Sequence, residues 1–155
     1  MIKYTVTFFV CCFAGCSETS VQEQPKPWFE NEAEERGFTF VYESGFNGTP
    51  QYPEIFGGGA ALLDIESDGD LDIYVVQGGS ILNPTQSTAT NQLFLNDGTG
   101  RFTNSTSGSG AGDSGYGMGA ATGDYDNDGD LDIYVTNIGR DTLLRNNGDG
   151  SFTDV

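Results

Sequence analysis

The sequence of 155 residues contains no histidine. This absence removes the commonest general base, and with it the Ser-His-Asp triad, histidine-based zinc sites and the facial triad of non-haem iron. The three cysteines, Cys11, Cys12 and Cys16, all lie near the N-terminus, so the rest of the chain has neither a disulfide nor a thiol nucleophile. The glycine-rich stretches lack the Gly-Lys-Ser/Thr of a phosphate-binding loop. We therefore predict that the chain is not an enzyme.

Basic side chains are also few. Six lysines and arginines stand against 23 aspartates and glutamates, which leaves a formal net charge of −17. A chain of this charge repels nucleic acid and anionic lipid headgroups. We predict no nucleic-acid partner, and contact with a membrane only through a lipid anchor.

The acidic residues concentrate in two nine-residue loops that begin sixty positions apart, each with carboxylates at positions 1, 3, 5, 7 and 9 and glycine at position 6. Such neighbours repel, by about 0.8 kcal/mol for a pair ~5 Å apart in water and by more at lower dielectric. Oxygen ligands alternating around a glycine suit calcium better than magnesium or a transition metal. The alternative is a pair of solvated acidic turns. We predict two calcium sites, formed by Asp64, Glu66, Asp68, Asp70 and Asp72 and by Asp124, Asp126, Asp128, Asp130 and Asp132.

These loops do not match the EF-hand. An EF-hand needs a bidentate glutamate at position 12, where this chain has Val75 and Val135. The residues that follow each loop are β-branched and aromatic, which predicts a strand rather than a helix. By analogy with other loops of this spacing, the side chains at positions 1, 3, 5 and 9 should bind the ion, and position 7 should contribute its backbone carbonyl.

The loops belong to a longer repeat that predicts the fold. Strands are predicted on both sides of each loop. Each repeat then has two further predicted strands, which are separated by an Asp-Gly or Asn-Gly turn. These strands are at 91–96 and 101–104 in the first repeat and at 141–146 and 151–154 in the second. Residues 78–90 add a polar insertion to the first repeat. Four antiparallel strands in each repeat indicate an all-β fold made of β-propeller blades, with about two blades at 57–104 and 117–155.

Asp-x-Asp-x-Asp-Gly-x-x-Asp within a four-stranded repeat resembles the FG-GAP, or VCBS, repeat of integrin α-chain propellers and of many bacterial secreted proteins. The segments 53–59, 74–79, 116–121 and 145–154 are also similar to the N-terminal part of bacterial cartilage acidic protein-like proteins, which carry a C-terminal ASPIC/UnbV domain. The resemblance covers residues 38–155 and implies a calcium-binding propeller. The chain departs from the pattern at Glu66, which replaces a shorter side chain, and in lacking the ASPIC/UnbV part.

Two blades cannot close a ring, because each repeat buries its faces only against its neighbours. We therefore expect the sequence to be a truncated piece of a longer propeller. The alternative is a small two-repeat protein that is completed by oligomerisation.

The N-terminus has the features of an export signal. A ten-residue apolar run at 4–13 follows Lys3 and ends in Ala14-Gly15-Cys16, which resembles a bacterial lipobox except that Phe13 replaces the usual aliphatic residue. We predict a secretion signal at 1–16 with lipidation at Cys16, followed by a flexible acidic linker at 17–37. Ordinary signal-peptide cleavage and a retained apolar stub are the alternatives. The predicted location is the cell envelope, as an outer-membrane lipoprotein, or the extracellular space.

The predicted function is that of a secreted or surface-anchored calcium-binding β-propeller, which binds or adheres to a protein or a glycan. The alternative is the non-catalytic scaffold of a larger extracellular enzyme that acts on polysaccharides.

Overall fold

The computed structural model describes residues 27–82 and 87–155. The predicted signal, the Cys16 lipidation site, residues 17–26 of the predicted linker and four residues of the 78–90 insertion lie outside these ranges. The chain divides into two units, Met1–Glu30 and Asn31–Val155. All strands of the described residues belong to the second unit.

The described residues form two four-stranded antiparallel sheets in which each strand pairs with the next along the chain. The prediction of an all-β fold with two four-stranded blades is confirmed. A 3-10 helix at Tyr52–Ile55, with a proline in its first turn, precedes the first sheet and was not predicted. The strands are β1 (Ala60–Leu63), β2 (Asp72–Val75), β3 (Gln92–Asn96) and β4 (Phe102–Asn104) in the first blade, and β5 (Tyr116–Gly123), β6 (Asp132–Ile138), β7 (Thr142–Asn146) and β8 (Phe152–Asp154) in the second.

The two blades share the same register around their acidic loops. Ala61 lies opposite Tyr74 in the first blade, and Ala121 lies opposite Tyr134 in the second, so the sixty-residue repeat is preserved in the strand pairing. The hairpin turns that follow β3 and β7 each contain two glycines with φ near +77°, as their Asp-Gly and Asn-Gly sequences predict. Each acidic loop therefore joins the first two strands of its blade.

The fourth strand of each blade is bonded to a segment that precedes the blade. The Phe102 amide donates to the Arg36 carbonyl at 2.7 Å, and the Phe152 amide donates to the Ser109 carbonyl at 2.6 Å. Each segment then turns through a glycine of positive φ, at Gly37 and Gly110, where a Cβ would collide with the phenylalanine carbonyl. The first blade therefore contacts residues 35 and 36, which precede the boundary at residue 38 drawn from the sequence.

The core lies between the sheets. Leu63, Tyr74 and Leu93 of the first blade form one buried cluster with Ile133 and Val135 of the second. Glycines allow this approach: a Cβ on Gly117 would lie 2.1 Å from Cγ1 of Val76. The corresponding face of the second blade is open, because Tyr134 is 43% exposed whereas Tyr74 is fully buried.

The buried Tyr74 hydroxyl belongs to this interface. It donates to the Ala111 carbonyl at 2.9 Å, on the segment that leads into the second blade, and it accepts from Asn91 Nδ2 at 3.0 Å. Burial raises the pKa of Tyr74 far above its ordinary value, so the hydroxyl keeps its proton and remains a donor.

We predict that Tyr74→Phe lowers the free energy of unfolding by about 1–3 kcal/mol, because two buried polar groups lose their partner. Tyr134→Phe is the matched control: its hydroxyl bonds Asp141 at the surface, so a change within about 0.5 kcal/mol is expected. Urea unfolding of both variants measures the difference. Equal losses would contradict the packing of the first blade against the second.

Candidate metal centre

Each acidic loop is closed by hydrogen bonds to its first carboxylate. Asp64 accepts from the backbone amides of Asp68 and Gly69 at 3.1 and 3.0 Å. Asp124 accepts from Asp128 and Gly129 at the same two distances. The glycine at position 6 has φ near +100° in both loops, and the residue at position 4 also has positive φ, so the turn is sharp. The two loops therefore have one conformation, as their shared sequence pattern predicts.

The last carboxylate of each loop lies at its base and is almost fully buried. Asp72 accepts from the amides of Ile65 and Asn96, at 2.9 and 2.8 Å. Asp132 accepts from Tyr125 and Asn146, also at 2.9 and 2.8 Å. Each carboxylate oxygen in these pairs accepts one amide and keeps a free lone pair, so position 9 can hold the loop and also bind an ion.

Three carboxylates of the second loop converge at the surface. Asp124, Asp126 and Asp128 each place a carboxylate oxygen within 4.8 Å of the others. Across residues 27–82 and 87–155, no other group of three or more such side chains meets this condition. In the first loop, Glu66 occupies the position that Asp126 has in the second loop. The Glu66 carboxylate lies beside the second blade, because a Cβ built on Gly150 would be 3.9 Å from Glu66 Oε1.

The side chains at position 7 lie elsewhere. Asp70 Oδ2 lies against Gly98, and Asp130 Oδ2 lies against Gly148, so both contact the hairpin turn of their own blade. Their carboxylates therefore face the neighbouring turn, which leaves the position-7 backbone carbonyl as the group available to an ion.

Three carboxyl groups of the acidic loops have raised pKa values. Desolvation, followed by the charges of Asp72, Asp68 and Asp64, raises the pKa of Glu66. Desolvation and then the charges of Asp128 and Asp132 raise the pKa of Asp126. Desolvation likewise raises the pKa of Asp72, although two amides oppose it. A divalent cation bound in each loop by these carboxylates would relieve the repulsion that contributes to their raised pKa values.

Sequence reasoning did not single out Asn96 and Asn146, which support these loops. The backbone amide of each asparagine donates to the position-9 aspartate of its own blade. The side-chain amide of each donates to the backbone carbonyl of the residue before that aspartate, which is Leu71 in the first blade and Leu131 in the second. The available signal was their equivalent position: both are the last residue of the third strand, immediately before the hairpin turn.

A chain with two four-stranded blades and an acidic loop in each belongs to the class of β-propeller repeat proteins. The model of the FG-GAP-like repeat family matches residues 64–135 and 125–155, more than half of the sequence. The chain belongs to the FG-GAP-like repeat family, and the predicted FG-GAP resemblance is confirmed. FG-GAP repeats are propeller-type modules typical of extracellular or surface proteins and are often involved in binding.

A comparison with curated proteins found no match. Within residues 27–82 and 87–155, no helix has the length and the apolar character needed to span a bilayer.

The raised pKa values lead to a prediction for the calcium-free chain. Carboxyl ¹³C titration in chelator should give midpoints above the ordinary 4.5 for Glu66 and above 3.8 for Asp126. Between the ordinary and the raised pKa, the folded chain binds more protons than the unfolded chain. This contribution to stability is therefore present at low pH and lost as pH rises through the raised pKa.

Saturating calcium should lower both midpoints, because the cation favours the ionised form. Asp97 is the internal control, since the Thr99 hydroxyl lowers its pKa outside the loops and its midpoint should not respond to calcium. Midpoints at or below the ordinary values in chelator would contradict this account of the loops.

Proposed function

We propose that the chain is an exported calcium-binding propeller module that binds protein or glycan ligands. The observation that carries the proposal is the convergence of Asp124, Asp126 and Asp128 in a loop whose backbone conformation is repeated in the first blade. Positions 1, 3 and 5, the backbone carbonyl of position 7 and the remaining lone pairs of position 9 would hold the ion in each blade.

The donor chemistry favours calcium. Every candidate ligand is a carboxylate or carbonyl oxygen, and calcium takes six to eight such ligands with flexible geometry. Magnesium requires a stricter octahedron, and zinc or copper would favour nitrogen or sulfur donors. The expected affinity is that of extracellular modules, about 10⁻⁴–10⁻³ M.

A binding role is supported by the family and by exposed aromatic side chains. Tyr52 is 74% exposed and Phe56 is 60% exposed, and their rings meet edge to face with centroids 5.0 Å apart. Aromatic rings on a surface pack against sugar faces or apolar protein side chains. The polar insertion at 78–90, part of which lies outside the described residues, adds hydroxyl and amide groups. No histidine is present to serve as a general base, which supports a non-enzymatic role.

The lipid anchor and the link to ASPIC/UnbV-associated proteins remain proposals from the sequence. The anchor depends on Cys16 and the apolar run before it, both outside the described residues. The ASPIC/UnbV link depends on the segments at 53–59, 74–79, 116–121 and 145–154.

In a bacterial host, Cys16→Ala should abolish incorporation of a labelled fatty acid, because a lipobox cysteine is the acylated residue. Cys12→Ala, four residues earlier, is the matched control and should retain the label. Labelled Cys16→Ala protein would contradict lipidation at this site.

Calcium should stabilise the full chain against thermal unfolding. At 10 mM free calcium and a Kd of about 1 mM, each loop should add about 1.4 kcal/mol. Asp128→Ala should remove the contribution of the second loop, whereas Asp149→Ala, which removes an acid of the β7–β8 turn, should leave the calcium response unchanged. Calorimetry with calcium and with chelator measures these shifts.

An unchanged Tm in calcium and chelator would contradict the metal assignment. Because β1 and β2 join the first acidic loop to the 3-10 helix and to the 78–90 insertion, signal on a glycan or protein array should also fall in chelator and in Asp68→Ala.

A further inference from the structure

Asn146 contacts both acidic loops from a fully buried position. Its side-chain amide donates to the Ile65 carbonyl of the first loop at 3.2 Å and to the Leu131 carbonyl of the second loop at 3.3 Å. Ile65 occupies position 2 of its loop and Leu131 occupies position 8 of the other. One amide group therefore joins two loops that are far apart in the sequence.

The contacts of Asn146 extend to the buried carboxylate of each loop. The Ile65 amide donates to Asp72 at 2.9 Å, and the Asn146 amide donates to Asp132 at 2.8 Å. A continuous hydrogen-bonded path thus runs from Asp72 through Ile65 and Asn146 to Asp132. A network of this kind can carry energetic coupling between two sites if each site biases its geometry.

Asn96 holds the equivalent position in the first blade and provides a comparison. It donates to Asp72 and Leu71, as Asn146 does to Asp132 and Leu131. Its side-chain oxygen accepts from Gly98 and Gly100. Within the described parts of the chain, all hydrogen bonds of Asn96 are to residues of the first blade. Of these two asparagines, Asn146 is the one that bonds to the other blade.

We propose that Asn146 couples the two loops, so that an ion in one loop raises the affinity of the other. The inference rests on the proposed calcium binding. A loop that relaxes under the repulsion of its acids displaces either Ile65 or Leu131 and weakens the hold of Asn146 on the opposite loop. The first ion restores this contact, so the second ion binds a loop that is already ordered.

The sign of the coupling separates this path from direct electrostatics. Two bound cations repel each other, so Coulomb interaction alone would weaken the second binding step. Hydrogen bonding through Asn146 predicts the opposite sign.

The test is calorimetric titration of the full chain with calcium. Asp68→Asn and Asp128→Asn each disable one loop and give the affinity of the other loop alone. In the intact chain, the second ion should bind about five-fold or more tightly than these two affinities predict. In Asn146→Ala, the second ion should bind no more tightly than the two single-loop affinities predict. Asn96→Ala, the matched variant, should weaken the first loop but leave the excess in place.

Each outcome has one meaning. Absence of binding in every form would overturn the proposed function, and the coupling with it. Two ions that bind independently, or that weaken each other, would overturn the coupling alone. An excess that persists in Asn146→Ala would overturn the assignment to this residue. If Asn146→Ala does not fold, Asn146→Ser takes its place, and the comparison of the intact chain with the single-loop variants still decides whether the loops are coupled.

Discussion

The structure depends on keeping many carboxylates together without a basic side chain for each. Asp72 and Asp132 achieve this at the base of the loops, where each accepts two backbone amides from different parts of its blade. Because these amides belong to the loop and to the end of the third strand, one buried carboxylate fixes loop, sheet and hairpin turn together. The acids at positions 1, 3 and 5 are then left near the surface, where solvent or a cation can neutralise them, and Arg145 opposes the rise in the pKa of Asp126 only in part. The proposed ion binding would thus follow from how the blade is held, since the residues that close the loop also expose its charges.

The second constraint is that a blade is too thin to bury its own faces. Tyr74 and Leu93 are shielded by Ile133 and Val135 of the neighbouring blade, and glycines such as Gly117 allow that close approach. The same contact brings the first acidic loop against the second blade, where Asn146 meets Ile65. The packing between the blades therefore also determines the arrangement of the acidic loops, because a shift of one blade against the other would move an acidic loop.

Much of this could be predicted from local sequence. Alternating apolar strands, Asp-Gly and Asn-Gly turns and the repeated acidic loop each carry a signal within a few residues. The strands β3, β4, β7 and β8 fall inside the segments predicted for them, whereas β5 begins one residue before the predicted second blade. The contacts that were missed join distant parts of the chain: Arg36 with Phe102, Ser109 with Phe152, and Ile65 with Asn146. Nothing in the residues around Asn146 indicates its inter-blade contact, since Asn96 occupies an equivalent position without it. The position of Glu66 near the second blade likewise depends on how the sheets pack.

The differences between the repeats follow the environment of each blade. Asn91 is fully buried, donates to Tyr74 and accepts the amide of Gln77, roles that a neutral amide can fill without burying a charge. The equivalent residue of the second blade is Asp141, which lies at the surface and accepts from both Asn137 and Tyr134. The Asn137 amide and the tyrosine hydroxyl lower the pKa of Asp141, so the ionised form is stabilised where water can also solvate it. A carboxylate at position 91 would be buried beside the Tyr74 hydroxyl with no cation to balance it. The substitution between repeats therefore matches the side chain to its burial, whereas the acidic loops carry carboxylates at the same five positions in both blades.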